Sequence, residues 1–429
     1  MFVFSGPRPR SSARWTTIII LSLWGQLADL RPAVADERLT LAEAERLALE
    51  AEPGQQALQA RADALSHRAD AAAALPEPEL RVGLNNYPIE SGSFSTEGMT
   101  NASVGIRQAF PPGQARQLER EHFEWRAAAT HETVDMRADE IRRRTREAWL
   151  DVHYWQEAAA QAEATRPFFS DLLTITESLY AVGRKTQQDV LRAELELSRL
   201  EDRLIDIERA EAMARARLAE WVGAAADSPV ATTLPNWQGV PPLADLVGRL
   251  DDHPLLRAAD ADLEAHRTAV SLATERKKPG WALDVGYAYR EGQLSSGQPR
   301  SDFVTVGVTM GLPFTRGKAI DSKLTAALRE RSAAEFDRDR ERRALESTLR
   351  AEHARFTELS RRLDLFEERI LAQVRAHAAA ALDAYRSDTA DFADVMRAYI
   401  DDLDTRTEFL RLSTERAMSF AALAYLGGL

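Results

Sequence analysis

SDFVTVGVTMGLPFTRGK, residues 301–318, places Val304, Val306, Val308, Met310 and Leu312 at every second position. That is the period of a strand with one apolar face, not of a helix. The chain around it reads quite differently. From Gln114 to Val182 there is no glycine, and from Lys318 to Tyr385 neither glycine nor proline, while Ala, Arg, Glu and Leu dominate. Such runs are strong helix formers, and at about 1.5 Å per residue each extends roughly 100 Å. A short alternating strand set among very long helices is the contrast to explain.

The strand has relatives within the same chain. LRVGLNNY (80–87) answers LDVGYAYR (283–290), and ASVGIRQAFPPG (102–113) answers VTVGVTMGLPFTRG (304–317). LYAVGRKTQQDVLRAELEL (179–197) answers AYRSDTADFADVMRAYIDD (384–402), and AEWVG (219–223) answers AYLGG (424–428). A fixed offset of this kind is an internal duplication. It predicts a first repeat over 36–222, with strands 79–88 and 100–110, a long helix 114–182 and a return helix 187–222. A linker or equatorial segment follows over 223–242. The second repeat, 243–429, has strands 281–290 and 302–312, a long helix 318–386 and a return helix 391–427.

Each repeat holds a pair of alternating stretches joined by a loop rich in Gly and Ser, IESGSFSTEGM (89–99) and EGQLSSGQP (291–299). Prolines 76, 78, 111, 112, 279 and 313 bracket the pairs and end helix or strand where the chain changes type. Two surface hairpins on a soluble protein would show this pattern. So would the wall of a membrane barrel, apolar toward lipid and polar toward the lumen. In the second case four strands leave two unpaired edges. Hydrocarbon penalises each unsatisfied backbone group by several kcal/mol, so other chains must complete the sheet.

The N-terminus favours export. Arg8, Arg10 and Arg14 precede an apolar run from Trp15 to Trp24, and Ala33-Val34-Ala35 offers a small-residue cleavage site before Asp36. This is the layout of a signal peptide over residues 1–35. Its removal leaves 51 basic against 66 acidic residues, a net charge of −15, which argues against nucleic acid as a partner. There is no cysteine, so disulfides, thiolate metal sites and a lipid-bearing cysteine are excluded. No later segment reaches the ~18 consecutive apolar residues of a membrane helix.

Within the return helices apolar residues recur as heptads. Val190, Leu197, Leu204 and Leu218 lie on one seam, with Leu200, Ile207, Ala214 and Trp221 on the other; Met396, Leu403, Leu410, Ala417 and Ala424 repeat the register. Such seams predict coiled-coil packing. Pro167 predicts a bend in the first long helix alone, because the matching region near Ala372 has no proline. LTLAEAERLALEA (39–51) and PPLADLVGRL (241–250) are amphipathic pieces expected to form a belt outside the long helices.

The signal peptide, the duplicated helix-strand-strand-long helix order, and the Y-x-V-G turn at Tyr180–Gly183 ahead of Asp189-Val190-Leu191 resemble the TolC-type outer membrane factor family. The likeness spans Leu39 to Gly428. It implies a mixed fold: a duplicated long-helix coiled-coil tube, or α-barrel, plus four β-strands per chain completing a 12-stranded trimeric outer membrane β-barrel. It also implies a passive exit duct working with a periplasmic adaptor and an inner-membrane pump of the RND type, in contact with outer membrane lipid. YPIESGSFS and MTNASVGIRQAFPPG are similar to members serving heavy-metal resistance; drug efflux or type I protein secretion are the other cargo classes, and an exported coiled-coil protein without a pore is the competing reading. The resemblance places a periplasmic gate at Tyr385, Asp394 and Tyr180, Asp189, with Arg397 where the family has a second acidic ring position. It places an adaptor-contact tip at Val182 and Gly183, with Ser387 and Asp388 in the second half.

Catalytic motifs are lacking. GLPFTRGKA (311–319) has five residues between its glycines and Ala319 in place of Ser/Thr, HETVD (131–135) lacks a second histidine, and no G-x-S-x-G occurs. The eight histidines are scattered. No enzyme activity, metal site or cofactor is expected.

Overall fold

The computed structural model describes residues 38–235, 237, 239–312, 317–387 and 389–428. The expected signal peptide and Asp36 lie outside the described residues, as does Pro313. Helices α1 (Leu41–Ala51) and α2 (Pro53–Ala73) lead into strands β1 (Glu79–Asn85) and β2 (Asn101–Phe110), then α3 (Ala115–Ala181) and α4 (Gln187–Val222). The second repeat follows as α5 (Leu243–Gly248), α6 (Pro254–Glu275), β3 (Trp281–Tyr289), β4 (Phe303–Met310), α7 (Gly317–Leu365), α8 (Leu371–Arg386) and α9 (Phe392–Gly427).

The two halves start their pre-strand helices by the same device. Pro53 and Pro254 each occupy the first turn, where a missing N–H costs nothing. Glu52 accepts from Gln55 N at 2.7 Å, and His253 Nδ1 accepts from Leu255 N at 3.1 Å. Beside the sheet, α3 packs between α2 and α6, with α7 against α6; farther from it, α3 packs on α4 and α9, and α7 and α8 pack on α9. The heptad seams supply that packing. Leu200, Leu204, Ile207, Ala214 and Leu218 of α4 are buried, as are Met396, Leu403, Leu410 and Ala417 of α9.

Midway along α3 a core forms around Trp149, Leu150 and Ile141, with Leu218 and Val222 of α4 and Ala44 and Ala48 of α1. Leu39 is stitched to the segment after α4: its N–H donates to Pro229 O at 2.8 Å, and its carbonyl accepts from Ala231 N at 3.2 Å and Trp149 Nε1 at 2.9 Å. Half-buried Arg146 and Arg137 reach Glu45 and Glu52, both at 2.7 Å. Each large apolar side chain buried here contributes about 1.5–3 kcal/mol.

Two expectations need correction. The first strand ends at Asn85, short of 88, because Asn86 takes a left-handed φ of 51° and its carbonyl accepts from Thr100 Oγ1 at 2.8 Å. The second long helix was expected to run regularly from 318 to 386, yet Phe366–Ile370 form a π-turn. Leu371 N–H bonds back five residues to Phe366 O, which fits one extra residue into the helix. Helix α3 continues through Pro167. At the repeat offset Pro167 falls opposite residue 372, just after the π-turn of the second long helix.

Candidate functional site: the four-stranded sheet and the helical tip

The four strands form one antiparallel sheet in the order β1-β2-β3-β4. Its register aligns Leu80, Ile106, Val285 and Val306 in one row and Val82, Val104, Tyr287 and Val304 in the next. These side chains are exposed, Val82 by 76% and Val304 by 73%. The opposite face carries rows such as Arg81, Gly105, Gly286 and Thr305, then Glu79, Arg107, Asp284 and Gly307. One face is therefore apolar and uncovered, and the other is small, polar and charged; Arg81 lies 3.2 Å from Asp284. β1 and β4 each have one edge with no strand partner among the described residues. Phe110 stacks on Trp281, with ring centroids 4.2 Å apart, at the helical end of the sheet, and Tyr289 lies near Phe94 at the loop end. Trp281 and Tyr289 are eight residues apart, about 26 Å along a strand at ~3.3 Å per residue. That suits a membrane band with aromatic borders.

At the other end of the helices, α3 turns into α4. Gly183 sits at φ +72°, its N–H donating to Tyr180 O at 2.9 Å while Arg184 N–H donates to Leu179 O at 2.9 Å. This pair of bonds closes a helix on a left-handed glycine. Thr186 and Asp189 then form a capping box, with Asp189 Oδ2 accepting from Thr186 N at 3.0 Å and from its hydroxyl at 2.8 Å. In the second turn Thr389 N–H donates to Ala384 O at 2.9 Å and Ser387 Oγ to Asp383 O at 2.9 Å.

The sequence-derived tip residues separate into distinct environments. Val182 is 68% exposed and Gly183 has no heavy atom within 4 Å of a built Cβ, so this turn presents an open surface. Tyr180 is half exposed. Tyr385, expected at the aperture, is only 3% exposed. Its hydroxyl lies 3.4 Å from Thr176 Oγ1, its ring meets Phe392 edge-on at 6.0 Å, and Lys185 Nζ sits 4.8 Å from its centre. A side chain enclosed by its own protomer cannot line a pore, so in this conformation Tyr385 joins the two helical hairpins. Asp189 is engaged by the capping box. Asp394 is exposed and paired with Arg397 at 3.4 Å. Asp388 lies outside the described residues.

Residues 249–429 match the family described as outer membrane efflux protein. Over that segment the chain is similar to the family. In fold it is similar to the outer-membrane channel OprN (18% identity, 91% of this chain and 90% of that chain, TM-score 0.74) and to CusC (16%, 94% and 95%, 0.76). It is likewise similar to the outer membrane protein VceC of Vibrio cholerae (17%, 90% and 96%, 0.74). At such identity the likeness is one of fold. No curated protein sequence matches.

The sequence pattern did not disclose a cleft of about 950 Å³ between α3, α4, α7 and α9, lined by Arg143, Glu147, Asp151, Arg217, Glu352 and Arg355 among others. Arg217 bridges Asp151 at 2.5 Å and Arg143 bridges Glu147 at 2.6 Å. Burial pushes the Asp151 carboxyl above its ordinary range against the pull of Arg217. The only available sequence signal was charge at helical spacing, which every solvated helix shows.

Proposed function

We propose that three copies of this chain form the outer membrane duct of a tripartite efflux system. Each copy gives four strands to a 12-stranded barrel and its long helices to a periplasmic tube, and cargo passes without chemistry. The observation that carries this reading is the sheet itself, with an apolar uncovered face and two open edges; in lipid such edges must be paired by further strands. The tip is the proposed gate, with Asp394, Arg397 and Tyr180 around the aperture and Tyr385 and Asp189 holding the turns in shape. Val182, Gly183 and Ser387 are the proposed contact with a periplasmic adaptor, which couples the duct to an inner-membrane pump of the RND type.

Heavy-metal cations are the proposed cargo, on the likeness of residues 87–95 and 99–113 to that subgroup. The Asp394–Arg397 pair favours a second reading, because an acidic ring offset by arginine selects cations weakly: the same duct would then serve drug efflux or protein secretion. The experiment is planar-bilayer conductance of the purified oligomer, with its mass measured in detergent. Three-chain particles with discrete channel currents support the duct. A detergent-free soluble monomer without conductance rejects it in favour of an exported coiled-coil protein. Export assays with metal ions against drugs separate the cargo classes.

A further inference from the structure

Of the 55 Lys and Arg residues of the chain only five are lysine: Lys185, Lys277, Lys278, Lys318 and Lys323. Four of the five lie at one place. Lys277 and Lys278 follow the end of α6, and Lys318 and Lys323 are in the first two turns of α7. The two segments are tied together by Lys277 Nζ to the Asp321 carboxylate at 2.9 Å. Directly beyond them the sheet begins: Gly311 N–H donates to Gly280 O at 3.0 Å, Trp281 pairs with Met310, and the Trp281 ring stacks on Phe110.

Helix packing does not account for this concentration. Elsewhere arginine serves the ion pairs between helices, as its planar fork suits it to do. Lys278 pairs with Glu275 at 2.6 Å and Lys277 with Asp321, but Lys318 and Lys323 are exposed and make no ion pair among the described residues. Lys318 also sits in the first turn of a helix, where the dipole disfavours a cation. Residues 275–278 and 317–323 carry Arg276 and the four lysines against Glu275 and Asp321, an excess of three positive charges in a strongly acidic chain.

A flexible stem with a compact ammonium suits one neighbour at this depth. It can lie along the apolar border while its head reaches a phosphate, and basic residues beside a membrane attract anionic headgroups. We propose that Lys277, Lys278, Lys318 and Lys323 form a basic collar that binds anionic phospholipid headgroups of the periplasmic leaflet. The collar rests on the barrel reading but needs neither the gate nor the pump. In the proposed duct the helices extend into the periplasm, so this end of the sheet meets phospholipid, whereas the loop end meets the outer leaflet.

The test uses the full-length purified oligomer in nanodiscs of phosphatidylethanolamine and phosphatidylglycerol, with retained lipid quantified after mild delipidation. Wild-type protein should enrich phosphatidylglycerol over phosphatidylethanolamine. The double variant K318Q/K323Q leaves both ion pairs intact and should lower that enrichment by about fivefold per lysine removed, while K318R/K323R should retain it. Equal enrichment in wild type and K318Q/K323Q overturns the proposal. So does selective retention of lipid A from a mixed sample, or a change in pore ion selectivity with lipid retention unaltered, since the latter would turn the collar toward the lumen. Conductance measured on the same samples separates failure of the collar from failure of the barrel.

Discussion

Gly105 and Gly286 face each other across the central strand pair of the sheet, yet a methyl group added to each meets different surroundings. A Cβ at Gly105 would lie 2.9 Å from Val285 O and 3.1 Å from Gly286 Cα, both backbone atoms of a paired strand. A Cβ at Gly286 finds its nearest atoms at 3.6 and 3.8 Å, ordinary contact distances. Replacing glycine by alanine in a strand is otherwise favourable by roughly 0.5–1 kcal/mol, whereas overpacking against atoms that cannot rotate away costs about 1–3 kcal/mol. Gly105→Ala should therefore lose about 1–2 kcal/mol per chain, felt three times in the proposed trimer, and Gly286→Ala should be neutral or slightly stabilising. Thermal dissociation of the detergent-solubilised oligomer, followed by gel mobility, reads the difference as a lower transition for Gly105→Ala alone. Equal behaviour of the two variants, or the reverse order, would refute the register and packing argued for β2 and β3.

Arg397→Ala should cost under ~1 kcal/mol of stability, because the pair it breaks is exposed. It should nevertheless shift the reversal potential toward cations, and an unchanged potential removes Asp394 from the aperture. Asp189→Ala should weaken the tip by about 1 kcal/mol through loss of the capping box, read as faster proteolysis at the turn with conductance unaltered; a rise in current would make Asp189 a gate residue instead. Val182→Trp should abolish adaptor pull-down while trimers persist, and loss of trimers would mean the turn is structural. Acid should destabilise the middle of the molecule through two buried histidines. Burial lowers His153, against its contact with Ala231 O, and lowers His253 too, from an ordinary value of 6.5. The unfolded chain then takes up protons first, so stability is full above about pH 6.5 and falls as pH drops below it toward the folded-state values. Melting curves of His153→Gln should show a flatter dependence over that window.

The strands were legible because alternation is a local signal, whereas the pairing of β2 with β3 across the two repeats was not, because it joins segments far apart along the chain. The long helical stretches announced themselves by lacking glycine. The π-turn did not, since FEERI contains no residue that breaks a helix; the irregularity is a hydrogen-bond shift that only the packed helix reveals. The stitch of Leu39 to Pro229 and Ala231 joins short segments without periodicity, so no pattern pointed to it. At the tip, the first turn was recognisable from the resemblance carried by Tyr180–Gly183, but the direction of the Tyr385 ring was not. Whether a tyrosine before a turn faces an aperture or its own protomer depends on Thr176 and Phe392, which come from different helices.

The pairing of β2 with β3 joins residues far apart along the chain: Ile106 meets Val285, with α3, α4, α5 and α6 lying between them. Closing so large a loop is slow by chain entropy alone, whereas the helices nucleate from near neighbours. The order of maturation follows. Helical hairpins condense first in aqueous surroundings and draw the two ribbons side by side, so greasy surface is gathered late, and a lesion in a distant helix should surface as failed membrane insertion.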